Sequence, residues 1–156
     1  MDDSKKLSVL RREEMSAAIE KASLSWSIGM ANHRVVDRDN VHQAGFTAMR
    51  RAVAGLSVRP GLVLADGWEI PGLGLPCRGI IHGDERSYSI ACASILAKVF
   101  RDRLMRRLNR IFPGYGFARH KGYATREHVR QLGVLGASVI HRRTFEPVSG
   151  CFAASR

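Results

Sequence analysis

Apolar and polar positions run along the chain in two rhythms, and the points where one gives way to the other predict its elements. After Ser8, a residue type that caps helix N-termini, Met15, Ala18, Ile19 and Ala22 recur at helical spacing beside Arg11, Arg12, Glu13 and Glu14. That pattern predicts an amphipathic surface helix. Leu24, Trp26, Ile28 and Met30 then alternate with Ser25, Ser27 and Gly29, the period of a strand with one face buried. Helical spacing returns over 40–53 in Val41, Ala44, Ala48, Met49 and Ala52, and Gly55 with Pro60 supplies the stop. A strand over 62–65 follows, then a Gly- and Pro-rich loop over 67–79 and a short strand at 79–81. The longest helix begins at Ser89, with Ala93, Leu96, Phe100, Leu104, Leu108 and Ile111 on one face and Arg103, Arg106, Arg107 and Arg110 on another. Pro113-Gly114 ends it, a further helix spans 125–132, and an irregular tail begins at about 138.

Strands alternating with helices make this an α/β chain, and 156 residues, 45% of them hydrophobic, predict a single domain over 1–156. Charge narrows the partners. A formal net charge of +11 exceeds what solubility requires, and the cations cluster: Lys5, Lys6, Arg11 and Arg12; the arginines of the long helix; Arg119, His120 and Lys121; His141, Arg142 and Arg143. Nucleic acid is the polyanion such clusters favour. No apolar run approaches the roughly 20 residues of a membrane span, and MDDSKKLS lacks a signal peptide's apolar core, so the expected setting is the cytoplasm. Cys77, Cys92 and Cys151 make neither a disulfide frame nor a zinc ribbon. The histidines show no helical H-x-x-x-H pair and read as surface or phosphate-facing groups.

Two aspartates change this picture from binding to chemistry. Asp66 ends the run Leu62, Val63, Leu64, Ala65, and Asp84 follows Ile80, Ile81, His82 and Gly83. Alone, each is an ordinary turn signal. If the two segments are neighbouring strands, both carboxylates emerge at one sheet edge, where a hard cation such as Mg²⁺ or Mn²⁺ takes oxygen ligands.

The remaining phrases fall into a recognisable order. Asp3-Ser4-Lys5-Lys6-Leu7-Ser8, Ala65-Asp66-Gly67, Gly83-Asp84, the stretch from Ala93 to Val99 with Arg101-Asp102, Tyr115-Gly116-Phe117, His120-Lys121-Gly122-Tyr123, and Ile140-His141-Arg142-Arg143 with Phe145 and Pro147-Val148 together resemble ribonuclease HII over nearly the whole chain. The resemblance implies an RNase H-like fold, a mixed sheet flanked by helices, in an endonuclease that cuts RNA in RNA–DNA hybrids and at single ribonucleotides in duplex DNA. It also implies four acidic residues and two divalent cations, Mn²⁺ or Mg²⁺, with Asp66 and Asp84 as catalytic metal ligands here. Tyr123 would stack on sugar or base at the RNA-to-DNA step, His120, Lys121, Lys5 and Lys6 would meet the backbone of a substrate bound by a monomer, and Arg142 and Arg143 would either meet that backbone or anchor the tail. Asp102, between Arg101 and Arg103, reads as an ion-pairing residue rather than a further catalytic acid.

One departure bears on all of this. In the family a first strand carries an Asp-Glu pair in a phrase resembling DEAGRG, and no such phrase occurs in this sequence. The expectation is therefore an RNase H-like sheet without its first strands, exposed apolar edges at 24–30 and 62–65, and weak or absent cleavage by the chain as written. The alternative is a basic module that binds nucleic acid without cutting it.

Overall fold

The computed structural model describes residues 7–153, with side chains through Cys151. They fall into two compact units, one of 7–30 with 45–100, the other of 31–44 with 101–153.

Helix α1 (Val9–Ala22) starts where Ser8 predicts, with the Ser8 Oγ accepting from Arg11 N at 3.2 Å. Its buried positions are Arg12 and Ser16; of the apolar stripe Met15 and Ile19 are partly buried, while Ala18 and Ala22 are exposed. Polar groups are buried there because each finds a partner: Arg12 donates to the Leu7 carbonyl at 2.6 Å and Ser16 to Glu20 at 2.9 Å.

The strand expected over 24–30 does not form. The expected buried face does not form: Leu24 is 94% exposed and Trp26 and Met30 are about half exposed, while Ile28 is partly buried. The small residues between them also turn inward. Ser57 donates to the Ser25 hydroxyl through both its N–H and its Oγ, and Arg51 donates to the Met30 carbonyl at 2.6 Å. A Cβ on Gly29 would lie 1.9 Å from the Ala48 carbonyl oxygen, so only glycine permits this close approach. No strand among the described residues pairs with the segment.

Helix α2 (His33–Ala54) contains a break at Asn40, which has φ 69° and whose side chain accepts from the N–H groups of His42 and Gln43. Asn40 thus caps the helix predicted from that position, and the turns before it, from His33, were not anticipated. The stop after Ala54 falls at Gly55 as expected.

Strands β1 (Val63–Asp66) and β2 (Cys77–Ile80) pair in parallel, Val63 opposite Cys77 and Asp66 opposite Ile80. The expected mixed sheet is represented among the described residues by this one parallel pair. Phe46, Ala65 and Ile70 form the core beneath it, each large side chain contributing about 1.5–3 kcal/mol by burial. Helix α3 (Gly83–Arg86) is a single turn that leads into α4 (Tyr88–Ile111). In α4 the buried residues include Ala91, Ile95, Val99, Asp102 and Met105; of the predicted face Leu96 is buried, Phe100, Leu104 and Leu108 are partly buried, and Ala93 and Ile111 are exposed, so the inward face is wider than and offset from the predicted one. The four arginines are exposed as predicted, and Pro113 lies just past the helix end.

In the second unit, α5 (Phe117–His120) and α6 (Arg126–Leu135) surround a core of Met105, Tyr115, Phe117, Leu132 and Val148. Thr125 caps α6 through His128 N. The tail is irregular to Pro147 and ends in α7 (Val148–Ala153). Among the described residues no helix is long and apolar enough to cross a membrane.

Candidate active site

Strand alternation sets the first carboxylate. Ala65 points into the core beside Phe46 and Ile70, so its neighbour Asp66 points to the opposite face and is exposed. Its Oδ1 accepts a hydrogen bond from Gly83 N at 2.7 Å. Gly83 follows His82, which adopts a left-handed conformation at φ 54°, and this bend turns the chain out of β2 into α3. A Cβ on Gly83 would sit 2.6 Å from Ile90 Cδ1 and 3.3 Å from Asp66 Oδ1. The glycine is therefore what lets the α3 turn close against Asp66.

Asp84 lies next in the chain, in the first turn of α3 rather than at a strand end as expected. Both aspartates nevertheless line one cavity of about 440 Å³, with Gly67, Trp68, Ile81, His82 and Glu85. Trp68 and Ile81, both about two-thirds exposed, give this acidic cavity an apolar rim that the sequence reading missed. The signal was available: a tryptophan directly after Asp-Gly, in a turn that has no apolar core to join.

Carboxylate oxygens suit a hard divalent cation, and Mg²⁺ commonly takes one or two of them and completes its shell with water and substrate phosphate. The Asp66–Asp84 cavity fits one such ion on that basis. Among the described residues no group of three or more His, Cys, Asp or Glu is arranged to hold a metal by itself.

A second cluster lies in the other unit. Lys121 and Gly122 are both left-handed, at φ 53° and 81°, and turn Tyr123 outward, where it is 61% exposed. The Arg101 guanidinium lies 5.7 Å from the Tyr123 ring centroid and donates to the Lys121 carbonyl at 2.9 Å. The half-buried Lys121 reaches the Ala118 carbonyl through its ammonium group.

Other expected contacts need correction. His120 is buried, with one ring nitrogen 2.7 Å from the Tyr115 carbonyl and the other accepting from Gly122 N at 3.1 Å, so both nitrogens are occupied and neither is offered to phosphate. His128 and His141 are also buried rather than surface groups. Burial and the neighbouring charge of His128 hold His141 down at about 4, and burial lowers His128 as well. Arg142 is half-buried with its guanidinium 4.0 Å from the Phe145 ring centroid, which anchors the tail; burial, then the like charge of Arg101, lowers its pKa. Arg143 is exposed, and its backbone N–H donates to Asp37. Desolvation pushes the Asp37 carboxyl up, but this is outweighed by donors from Arg143 N, Thr144 N and Thr144 Oγ1, and its pKa is lowered overall. Asp102 is buried within α4. Lys5 and Lys6 lie outside the described residues.

Comparison with known proteins bears on these clusters. A family model for ribonuclease HII matches residues 1–148. A ribonuclease HII of Caldicellulosiruptor saccharolyticus is 46% identical over 143 residues, covering 92% of this chain and 70% of the relative. One from Desulfitobacterium hafniense is 49% identical over 148 residues, covering 95% of this chain and 57% of the relative. Another, from Mycobacterium ulcerans, is 50% identical over 145 residues, covering 93% and 61%. The chain therefore spans between 57% and 70% of the length of these relatives. The crystal structure of a ribonuclease H2 from Pyrococcus horikoshii shares the fold, with a TM-score of 0.81 at 18% identity over 97% of this chain and 80% of that one.

Proposed function

The chain belongs to the ribonuclease HII family, and on that premise we propose that it carries part of the active site of an endoribonuclease acting on RNA in RNA–DNA hybrids and at single ribonucleotides in duplex DNA. The observation that carries this reading is the convergence of Asp66 and Asp84, 18 residues apart in sequence, on one cavity through the Asp66–Gly83 hydrogen bond. Asp66 and Asp84 act as metal ligands, the former from a strand end and the latter from the turn it fixes. A divalent cation, Mg²⁺ or Mn²⁺, bound there would polarise the scissile phosphate and lower the pKa of the attacking water. A second ion, as a two-metal mechanism requires, needs more negative charge than these two carboxylates supply.

Tyr123 offers its ring to the sugar or base at the RNA-to-DNA step, where stacking contributes about 1–3 kcal/mol. Lys121, Arg143 and the lysines Lys5 and Lys6 are the groups assigned to phosphates, in a cytoplasmic, monomeric protein. Because two carboxylates are fewer than the four the resemblance implies, cleavage by this chain alone is expected to be weak, and binding without cleavage is the second reading.

A single assay separates them. The purified chain is titrated with a labelled RNA–DNA hybrid and with duplex DNA carrying one ribonucleotide, with Mn²⁺ or Mg²⁺, at several salt concentrations. Both readings predict binding that weakens steeply with salt. Metal-dependent product that disappears with Asp66→Ala identifies catalysis. Binding that survives Asp66→Ala and Asp84→Ala, with no product, identifies the binding module. Salt-independent or absent binding contradicts both.

A further inference from the structure

The three buried histidines of the second unit form a cluster whose hydrogen bonds admit one proton arrangement. Gly122 N–H can only donate, so His120 Nδ1 accepts from it at 3.1 Å, and the His120 proton sits on Nε2, donated to the Tyr115 carbonyl at 2.7 Å. The Tyr123 carbonyl can only accept, so His128 carries its proton on Nδ1 and donates it at 2.9 Å. That leaves His128 Nε2 bare, 3.2 Å from His141 Nε2, which must supply the proton between them. His141 Nδ1 is then the acceptor its surroundings require, since Ser138 offers it an N–H at 3.0 Å and a hydroxyl at 2.7 Å. Three rings hold three protons, and each assignment agrees with the next.

Packing holds the rings in this register. His120 stacks on His128 with centroids 4.2 Å apart, and the Phe117 ring stands nearly perpendicular to both. His141 is tilted against Tyr115 and Phe117. His128 and His141 are hydrogen-bonded in series between the Tyr123 carbonyl and Ser138, and His120 joins them by stacking alone. His120 ties Tyr115 to Gly122, and His128 ties down the Tyr123 carbonyl, which also accepts from Thr125 N at 2.8 Å. The exposed Tyr123 ring thus stands on a backbone fixed from below.

We propose that His120, His128 and His141 are a neutral, single-tautomer relay that positions Tyr123 for nucleic acid, with His141 acting through His128. The rings touch no substrate in this arrangement, so they are positioning residues. The assignment rests on the proposed role of Tyr123, whereas the proton pattern and the fixed loop do not depend on it. A surface tyrosine on a glycine turn loses conformational freedom before binding in this way, which lowers the entropy cost of its contact.

The test has two parts, both on the full chain. Long-range ¹H–¹⁵N correlation spectra of the histidine rings at pH 7.5 report each tautomer; the account predicts the proton on Nε2 in His120 and His141 and on Nδ1 in His128. Any other pattern overturns the relay. Hybrid affinity is then measured for His128→Leu and His128→Asn, each in the native and the Tyr123→Ala background, with amide exchange followed at Gly122 and Tyr123. The predicted result is an affinity loss of about tenfold for His128→Leu, restored largely by His128→Asn, whose amide can still donate to the Tyr123 carbonyl. In the Tyr123→Ala background the loss should vanish. An equal loss in that background, or amide exchange at Gly122 and Tyr123 unchanged by His128→Leu, contradicts positioning. If the native chain binds no hybrid, the proposed function fails, while the ring tautomers and amide exchange still decide the relay.

Discussion

Asp66 at the end of β1 accepts a 2.7 Å hydrogen bond from Gly83 N–H, so one carboxylate fixes the turn that delivers the next, Asp84, to the same cavity. Two residues that are unremarkable turn signals in sequence are brought to one cavity, the candidate site, through one backbone contact.

Gly83→Ala tests that contact without touching a carboxylate. The added Cβ meets Ile90 Cδ1 at 2.6 Å, and the buried Ile90 has little room to yield. The expected cost is about 1–3 kcal/mol, as for other overpacked sites, read as a lower urea midpoint at unchanged slope. Divalent-cation affinity should fall with it, because the turn that carries Asp84 is no longer held to Asp66 through Gly83 N–H.

The neutral histidines predict an acid-labile second unit. His128 and His141 are both lowered from the ordinary histidine value of 6.5, His141 to about 4, by burial first. A proton added to His128 Nε2 would oppose the His141 proton across 3.2 Å, and the Arg142 guanidinium, with His120 and His33 also facing the rings, disfavours a further charge there. The unfolded chain binds these protons more readily than the folded one. Their contribution is thus present above the unfolded value of 6.5 and is lost as pH falls toward about 4. Urea midpoints at steps between pH 7.5 and 4.5 should decline across that window, and His141→Gln should flatten the decline.

Tyr123→Ala and Tyr123→Phe separate the ring from its hydroxyl. Stacking predicts that hybrid binding weakens by about 1–3 kcal/mol in the alanine variant and by much less in the phenylalanine variant, measured by fluorescence anisotropy. Thermal melting of both should stay near that of the native chain, since the ring is 61% exposed.

Local signals were legible where local chemistry decides them. Ser8, Asn40 and Thr125 each capped the helix predicted from them, and Gly55 and Pro113 marked helix ends. What periodicity could not give was which face turns inward. Over 24–30 Ser25 and Gly29 turn inward together with the partly buried Ile28, because hydrogen bonding and close backbone approach decide there, leaving Leu24, Trp26 and Met30 outward. Leu24, Trp26, Met30 and Leu62 are exposed, but 24–30 forms no strand and Leu62 precedes β1, so they are not the sheet edges expected there.

The aspartates were legible from motif order, although the one-turn helix carrying Asp84 was too short to have a period. The histidine relay was not legible at all. His120, His128 and His141 have no ligand spacing, and only the fold brings their rings together. His120 was accordingly misread as a phosphate contact, since a cationic cluster in sequence says nothing of burial.

The most direct test of the Asp66–Asp84 site is Mn²⁺ titration of the ¹⁵N-labelled chain, following paramagnetic broadening of backbone amides. The account predicts selective broadening at Gly67, Gly83, Asp84 and Glu85 at low Mn²⁺, competed by Mg²⁺. Asp66→Asn, which keeps the acceptor for Gly83 N–H but loses the charge, should weaken it at least about tenfold. Broadening that is diffuse, or centred elsewhere and indifferent to Asp66→Asn, would contradict the assignment of these two aspartates as the metal-binding centre.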